Sequence, residues 1–155
     1  MQQQYNAIIA DTSCFILLDK IDFLPILKEV FSQVTTTKEV ALEFGKSLPD
    51  WIIIESVKDG GQQRILELEI DKGEASALAL AIEKGNCLLI LDDFKARKLA
   101  SKLNLQYTGS LGVLLKAKES GIIPELRSVL LKIQQTNFRF SEKVLNEILQ
   151  IAGEK

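Results

Sequence analysis

Three short apolar runs constrain the fold of this chain more than any other feature. They occupy residues 7–10, 52–57 and 88–91, and turn-forming residues lie near each of them. Short runs that are apolar throughout, rather than alternating with polar residues, are typical of parallel strands buried on both faces. We therefore expect a buried parallel sheet.

Between these runs the apolar residues recur at helical spacing. Residues 23–30, 78–82 and 96–103 each place apolar side chains three or four positions apart, as helices with one face on a core do. Helices that alternate with short buried strands predict βαβ units and an α/β fold. From Pro124 onward the chain is predicted to be wholly helical. We expect one domain over residues 1–155, with a helical C-terminal extension from about residue 124.

The chain contains no histidine. This excludes hydrolases with a Ser-His-Asp or Cys-His site and zinc peptidases with an HExxH motif. Cys14 and Cys87 are far apart and each lies in an apolar run, so we interpret them as small buried thiols. Acid–base or metal chemistry must therefore use carboxylates, hydroxyls, lysines or these two thiols.

The charges nearly balance, with 19 Lys and Arg against 21 Asp and Glu. This balance argues against a protein that coats polyanions through its overall charge, but it allows a local basic surface. The sequence has no signal-peptide pattern at its start and no apolar stretch long enough to span a bilayer. We expect a cytoplasmic protein with no membrane contact.

Acidic residues follow two of the predicted strands. Asp11 comes directly after residues 7–10, and Asp92 and Asp93 come directly after residues 88–91. In a parallel sheet both positions lie at the carboxyl edge, where open α/β folds bind their ligands. Two separate segments are thus predicted to deliver acids to one cleft.

Two further acids stand near predicted helix ends. Glu74 opens a helix directly after Gly73, while Glu43 lies near the end of a helix that begins around Lys38, four residues after Glu39. Each acid also has a purely structural explanation, because Asp caps helices and the helix dipole favours Glu in a first turn. The residues leave both explanations open, although acids from several segments together favour a shared cleft.

Carboxylates that share a cleft repel one another unless some are protonated or a cation binds. Mg²⁺ and Mn²⁺ prefer oxygen ligands, and such a metal lowers the pKa of a bound water and stabilises charge on a phosphoryl oxygen. With no histidine to act as a base, water activated by a metal is the nucleophile that this composition favours. Ser110 precedes another predicted helix, so its hydroxyl either caps that helix or helps to hold a metal-bound water.

The helix predicted after Asp93 has a basic face. Lys95, Lys98 and Lys102 recur at spacings of three and four, and Arg97 lies on the same helix. A basic face beside an acidic metal cleft suits a polyanion such as RNA. A solvated amphipathic helix explains the same spacing equally well.

Several motifs follow one another in a distinctive order. They are Asp11-Thr-Ser13, Val40-Ala-Leu-Glu43, Gly73-Glu-Ala-Ser76, Leu91-Asp-Asp-Phe-Lys-Ala-Arg97 and Thr108-Gly-Ser110. In this order the chain resembles the PIN domain family, and more narrowly the DUF3368 group of small prokaryotic proteins described as predicted to bind nucleic acid. The resemblance covers nearly the whole chain, from about Ala7 to the C-terminal helix.

The resemblance implies a three-layer α/β/α sandwich with a central parallel sheet, and a ribonuclease that depends on Mg²⁺ or Mn²⁺. It also implies a role as the toxin of a toxin–antitoxin pair, as in VapC-type proteins, with an antitoxin protein as partner. Apolar helical faces at residues 23–30 or 144–149 would serve either a homodimer, as in related nucleases, or the core.

Carried over position by position, the resemblance implies a set of site residues. The catalytic acids are Asp11, Glu43, Glu74 and one of Asp92 and Asp93, with Glu39 as the substitute for Glu43. Asp11, Glu74 and the Asp92/Asp93 pair are the metal ligands, and Thr12, Ser13 and Ser110 are supporting polar groups. The alternative function is a non-catalytic PIN-like module that binds RNA or a protein.

Overall fold

The computed structural model describes residues 4–154, in which strands and helices alternate before two final helices. The strands are β1 Ala7–Ala10, β2 Val34–Thr37, β3 Ile52–Glu55, β4 Cys87–Ile90 and β5 Gln106–Thr108. The helices are α1 Thr12–Lys20, α2 Ile26–Phe31, α3 Lys38–Phe44, α4 Gly60–Leu66, α5 Lys72–Lys84, α6 Phe94–Lys102, α7 Ser110–Glu119, α8 Arg127–Gln134 and α9 Glu142–Ile151.

The five strands form one parallel sheet in the order β3-β2-β1-β4-β5. The chain starts at the central strand β1, builds outward through β2 and β3, and then returns to add β4 and β5 on the other side of β1. The strand order therefore reverses between β1 and β4. In open α/β sheets the crevice beyond the carboxyl ends of the strands at such a reversal is the usual ligand site.

Helices cover both faces of the sheet, and each face has its own apolar core. One core holds residues such as Leu18 of α1, Leu27 of α2 and Leu114 of α7. The other holds Leu78 of α5 and Ala96 of α6. The predicted three-layer α/β/α sandwich with a central parallel sheet is thus confirmed.

The predicted strands match the sheet except at their ends. The strand expected at residues 52–57 ends at Glu55, and the one expected at 88–91 lies one residue earlier, so Leu91 separates β4 from Asp92. The sequence analysis missed β2, which contains three threonines, and β5, which is a short edge strand. Neither strand is an apolar run, so a search for continuous apolar runs, which located the other three strands, does not detect them.

The C-terminal segment is helical only in α8 and α9, so the expectation of a wholly helical extension from Pro124 is wrong for residues 124–126, 135–141 and 152–154. Both helices pack onto the first core, through Leu130 of α8 and Leu149 of α9. The carboxylate of Glu154 accepts hydrogen bonds from the backbone N–H groups of Leu126 (2.6 Å) and Arg127 (2.9 Å). These bonds fasten the end of the described chain to the start of α8. Within residues 4–154, no helix combines the length and apolar character that a membrane crossing needs.

The assignment of residues 1–155 to one domain stays a prediction, which α8 allows us to test. Ile133 is 1% exposed in the first core, whereas Leu131 on the same helix is 55% exposed. Ile133→Ala should lower the free energy of unfolding by about 2–5 kcal/mol because it leaves a cavity. Leu131→Ala is the matched control and should change it by less than about 0.5 kcal/mol.

Urea unfolding followed by far-UV circular dichroism and by the fluorescence of Trp51 measures both variants. Trp51 packs against the same core from outside the C-terminal segment. Coincident transitions shifted together by Ile133→Ala are expected for one cooperative domain. An early helical transition that leaves the Trp51 signal unchanged would contradict it.

Candidate functional site

The site is built around Asp11, where the strand order reverses. Asp11 follows β1, is 5% exposed, and its backbone N–H donates to the carbonyl of Ile90 at the end of β4 (3.1 Å). Asp92 follows β4 after one residue. The parallel pairing of β1 with β4 therefore brings Asp11 and Asp92 to the same edge of the sheet, as the sequence predicted.

Asp92 is held by hydrogen bonds to both carboxylate oxygens. Ser110 donates its backbone N–H to Oδ1 (2.8 Å) and its hydroxyl to Oδ2 (2.5 Å), and Ser13 donates its hydroxyl to Oδ2 (3.2 Å). The Ser110 hydroxyl thus binds Asp92, and the N-cap of α7 is Gly109. The sequence had left open whether Ser110 caps that helix.

Asp93 is exposed and caps α6, because its Oδ2 accepts the backbone N–H of Ala96 (3.0 Å). Its charge nevertheless reaches the cluster, since Asp93 is among the groups that raise the pKa of Glu74. The two adjacent aspartates therefore have different geometries. Asp92 faces the serines at the carboxyl edge, and Asp93 is bound to the first turn of α6.

Glu74 is 8% exposed and forms a reciprocal cap with Asp71. Asp71 Oδ1 accepts the backbone N–H of Glu74 (2.9 Å), and Glu74 Oε1 accepts the backbone N–H of Asp71 (3.3 Å). The sequence analysis missed Asp71 as a member of the acidic group. The signal was readable, because an acid three residues before a Glu is the pattern of a capping box.

Glu43 joins the group and Glu39 does not. Thr12 donates its hydroxyl to Glu43 Oε1 (3.1 Å), and the Glu43 carboxylate lies against Gly73, where an added Cβ would be 1.7 Å from Oε1. Glu39 instead accepts a hydrogen bond from the side chain of Gln63 on α4 (2.9 Å). The contact between α3 and α5 therefore selects Glu43.

Burial, reinforced by neighbouring acids, raises the pKa values of Asp11 and Glu74. Burial raises the pKa of Asp11 to about 7, with further contributions from Asp71, Glu43 and Asp92, against the lowering effect of the Thr12 backbone N–H. Burial also raises the pKa of Glu74 to about 8, and Asp71, Asp11 and Asp93 add to the effect. Protons are thus retained on carboxyl groups near neutral pH, which is one way to relieve crowded negative charge.

One carboxylate oxygen of the site has no partner. Asp11 Oδ1 is buried and accepts no hydrogen bond in the described structure. Among residues 4–154 the one similar atom is Glu55 Oε2, which lies 2.9 Å from the ammonium of Lys84 and is thereby compensated. A buried, unpaired carboxylate oxygen is costly unless a proton or a cation satisfies it.

The donor chemistry fits a hard divalent cation, because the group offers carboxylate oxygens and no histidine. As positioned, no three Asp, Glu or Cys side chains in the described range form a group that could hold a metal ion. Glu43 and Glu74 are turned onto Thr12 and Asp71. The fit therefore rests on the oxygen donor set and on the unpaired oxygen of Asp11.

The predicted basic residues divide into two groups. Lys95, Lys98 and Lys102 are exposed on α6, and no carboxylate of residues 4–154 lies within ion-pairing distance of them. Arg97 is half-buried, donates its Nε–H to the carbonyl of Leu91 (2.8 Å), and its guanidinium lies 5.4 Å from the ring centroid of Tyr107. Arg97 therefore faces the corner between β4 and β5, unlike the three lysines.

A family model described as "DUF3368: PIN domain" matches residues 7–154. The chain belongs to this PIN domain family. No curated protein and no solved structure matches the chain significantly. Membership confirms the resemblance drawn from the motifs and supports a nuclease-like fold in general. PIN domains generally use divalent metals, and the family suggests nucleic-acid binding.

The pKa of Asp11 predicts how stability depends on pH. The folded protein retains the Asp11 proton up to about pH 7, whereas the unfolded chain releases it near pH 4. The folded state binds more protons in this window, so the free energy of unfolding should fall as pH rises from about 4 to about 7. Asp11→Asn should make this decrease smaller, leaving the part due to Glu74, whose pKa is raised to about 8, and should make the protein more stable than the wild type at pH 8.

Urea unfolding at a series of pH values, with a chelator present, measures the effect. Asp50→Asn, which replaces an exposed acid outside the group, should reproduce the wild-type profile. If Asp11→Asn has the same pH profile as the wild type, burial does not raise the pKa of Asp11.

The contact of Glu43 with Gly73 predicts the effect of adding one methyl group. Gly73→Ala should push the Glu43 carboxylate away from α5 and toward solvent. Burial raises the pKa of Glu43, so in the variant this pKa should fall toward its ordinary value. Stability should change by less than about 1 kcal/mol, because the displaced group is the end of a flexible exposed side chain.

An NMR titration of the side-chain carboxyl carbons measures the pKa of Glu43. Gly60→Ala is the matched control, since it also adds a methyl group in the first turn of a helix but meets nothing closer than 3.7 Å. An unchanged Glu43 pKa in Gly73→Ala would mean that contact with Gly73 does not determine the position of the Glu43 carboxylate.

Proposed function

We propose that this chain is a metal-dependent endoribonuclease. The observation that carries the proposal is the buried, unpaired oxygen of Asp11 at the reversal of strand order, with acids from α3, α5 and the end of β4 around it. Membership of the PIN domain family supports it. Because the chain has no histidine, the chemistry depends on carboxylates.

Asp11 and Asp92 are proposed to hold Mg²⁺ or Mn²⁺. Ser13 and Ser110 keep the Asp92 carboxylate in place through the three hydrogen bonds that they donate to it. When bound, such a cation lowers the pKa of a water molecule and neutralises charge on a phosphoryl oxygen. Both effects favour hydrolysis of a phosphodiester.

The other acids complete the negative group. Glu74 and Asp93 supply carboxylates from the first turns of α5 and α6, where local caps hold them. Glu43, held by the Thr12 hydroxyl, is proposed to orient the attacking water.

The substrate is proposed to lie along α6. Lys95, Lys98 and Lys102 are free of acidic partners among the described residues and would bind phosphates of the RNA backbone. Arg97 stays a predicted RNA contact, although its bond to Leu91 favours a part in holding the β4–β5 corner. The toxin role, an antitoxin partner, a homodimer and a cytoplasmic location also stay predictions.

A non-catalytic module that binds RNA or a protein is the second candidate. It is favoured by the absence of a ready group of three metal ligands in residues 4–154. It is also favoured by the caps that engage Glu74 and Asp93. In this case the acids stabilise helix ends, and the lysines alone bind the partner.

Calorimetric titration with Mn²⁺, followed by incubation with end-labelled RNA, tests the proposal. The wild type should bind Mn²⁺ saturably and cleave the RNA, and Asp11→Asn should lose both while remaining folded. The matched control is Glu39→Gln, because Glu39 is a half-buried acid of the same region that is bound to Gln63 rather than to the group. It should retain both activities.

Two results would contradict the proposal. The first is cleavage by Asp11→Asn at the wild-type rate. The second is no Mn²⁺ binding and no cleavage by the wild type with RNA present, which would support the non-catalytic module.

A further inference from the structure

Phe94 is an aromatic side chain that the fold leaves in solvent. It is 78% exposed, whereas every other Phe, Tyr and Trp in residues 4–154 is buried or partly buried. Its ring therefore adds little to the packing of α6, which contacts the core through Ala96 and Ala100. A single exposed apolar side chain is ordinary in itself. The informative feature of Phe94 is its position at the start of α6.

Along the chain, Phe94 lies between the capping acid Asp93 and the lysines of α6. It is the first residue of α6 and directly follows Asp93, which caps that helix. With 3.6 residues per turn, Phe94, Lys95, Lys98 and Lys102 fall within an arc of about 100° of the helix surface. The aromatic ring and the three ammonium groups thus share one face.

This face borders a groove of about 340 Å³, which we call the lysine groove. Its lining consists of Leu68, Glu69 and Ile70 from the segment after α4, and of Leu99 and the three lysines of α6. Glu69 forms no ion pair with these lysines. Ile70 directly precedes Asp71, and Lys95 lies two residues after Asp93. Both walls of the lysine groove are therefore adjacent in sequence to residues of the acidic group.

We infer that Phe94 stacks on an unpaired nucleobase of an RNA strand whose phosphates lie along the lysine groove. The inference rests on the proposed function and adds a residue that contacts a base. Lysines without acidic partners bind phosphates at any sequence, and an exposed aromatic face beside them stacks on a base. The bases of a duplex are covered on both faces, so this arrangement selects a single strand.

The geometry favours RNA over an acidic protein segment as the occupant. An acidic peptide would satisfy the lysines but presents no flat ring to Phe94 beside each charge. A nucleic acid strand presents a phosphate to the lysines and a flat ring to Phe94 at each nucleotide. Tyr107, an aromatic residue of the neighbouring strand β5, already has the guanidinium of Arg97 over its ring.

Fluorescence anisotropy with a labelled single-stranded RNA of about ten nucleotides tests the inference, with a chelator present to prevent cleavage. Inorganic polyphosphate is the second probe, because it has phosphates and no bases. Phe94→Ala should weaken RNA binding by about five-fold or more and leave polyphosphate binding unchanged. Phe94→Trp should retain RNA binding, and Lys98→Gln should weaken both probes.

One control variant and one direct measurement separate stacking from other effects. Leu131→Ala removes an exposed apolar side chain from a distant helix and should bind both probes like the wild type. In a Trp51→Phe background, the Phe94→Trp variant contains a single tryptophan, which reports stacking directly. Its fluorescence should be quenched by RNA and not by polyphosphate.

The outcomes distinguish this inference from the function on which it rests. If the wild type and Phe94→Ala bind RNA equally, the stacking role is wrong and the ribonuclease proposal stands. If Phe94→Ala weakens both probes alike, the residue acts on charge or fold and the stacking role is again wrong. If the wild type binds polyphosphate but not RNA, or neither probe, the RNA function and the stacking role both fail.

Discussion

The pairing of β1 with β4 is the constraint on which the rest of the structure depends. Strand order reverses at this pair, and the Asp11 backbone N–H joins the two strand ends through Ile90. Because both strands run in the same direction, the residues that follow them emerge at one edge. Asp11 and Asp92 therefore meet although they are far apart in the sequence. The same pairing buries Asp11 among apolar strands, which is why its pKa is raised to about 7. One feature of topology thus fixes both the position and the charge state of the central acid.

Structural and functional explanations of the acids turn out to be compatible. Asp93 and Glu74 do cap helices, and Asp92 is bound by Ser13 and Ser110. A hydrogen bond to a cap also fixes the direction of a carboxylate, so the caps limit how the acids can move relative to one another. Asp11 is the exception, since one of its oxygens has no partner in the described structure. A buried acceptor without a partner costs folding free energy, and such a cost is expected where a site must remain available to a ligand.

The sequence predicted those features that depend on local pattern and missed those that depend on packing. Apolar runs located three of the five strands. Strand β2 was missed because its threonines can be buried only when their hydroxyls form hydrogen bonds, and those bonds exist only in the folded chain. Thr36 donates to the carbonyl of Ala10, and Thr37 shares a hydrogen bond with Ser76. Buried threonines cannot be told from a polar turn until those partners are known. The sequence placed Glu43 in the group only through the family resemblance and kept Glu39 as its substitute. The residues alone could not decide between them, because the position of Glu43 depends on a glycine of α5 that lies far away in the sequence.

Helix α6 shows how one short segment serves both the fold and the proposed site. Its small residues Ala96 and Ala100 allow close packing on the second core, and Arg97 ties the helix to the strand end before Asp92. The lysines and Phe94 occupy the remaining face. The acidic group and the lysine groove therefore meet at the start of α6, where Asp93 lies two residues before Lys95, and their charges influence one another. A cation at the acids would lessen their repulsion of an RNA phosphate, and a bound phosphate would in turn attract the cation. Because such coupling is reciprocal, the proposed metal and RNA should each strengthen the binding of the other.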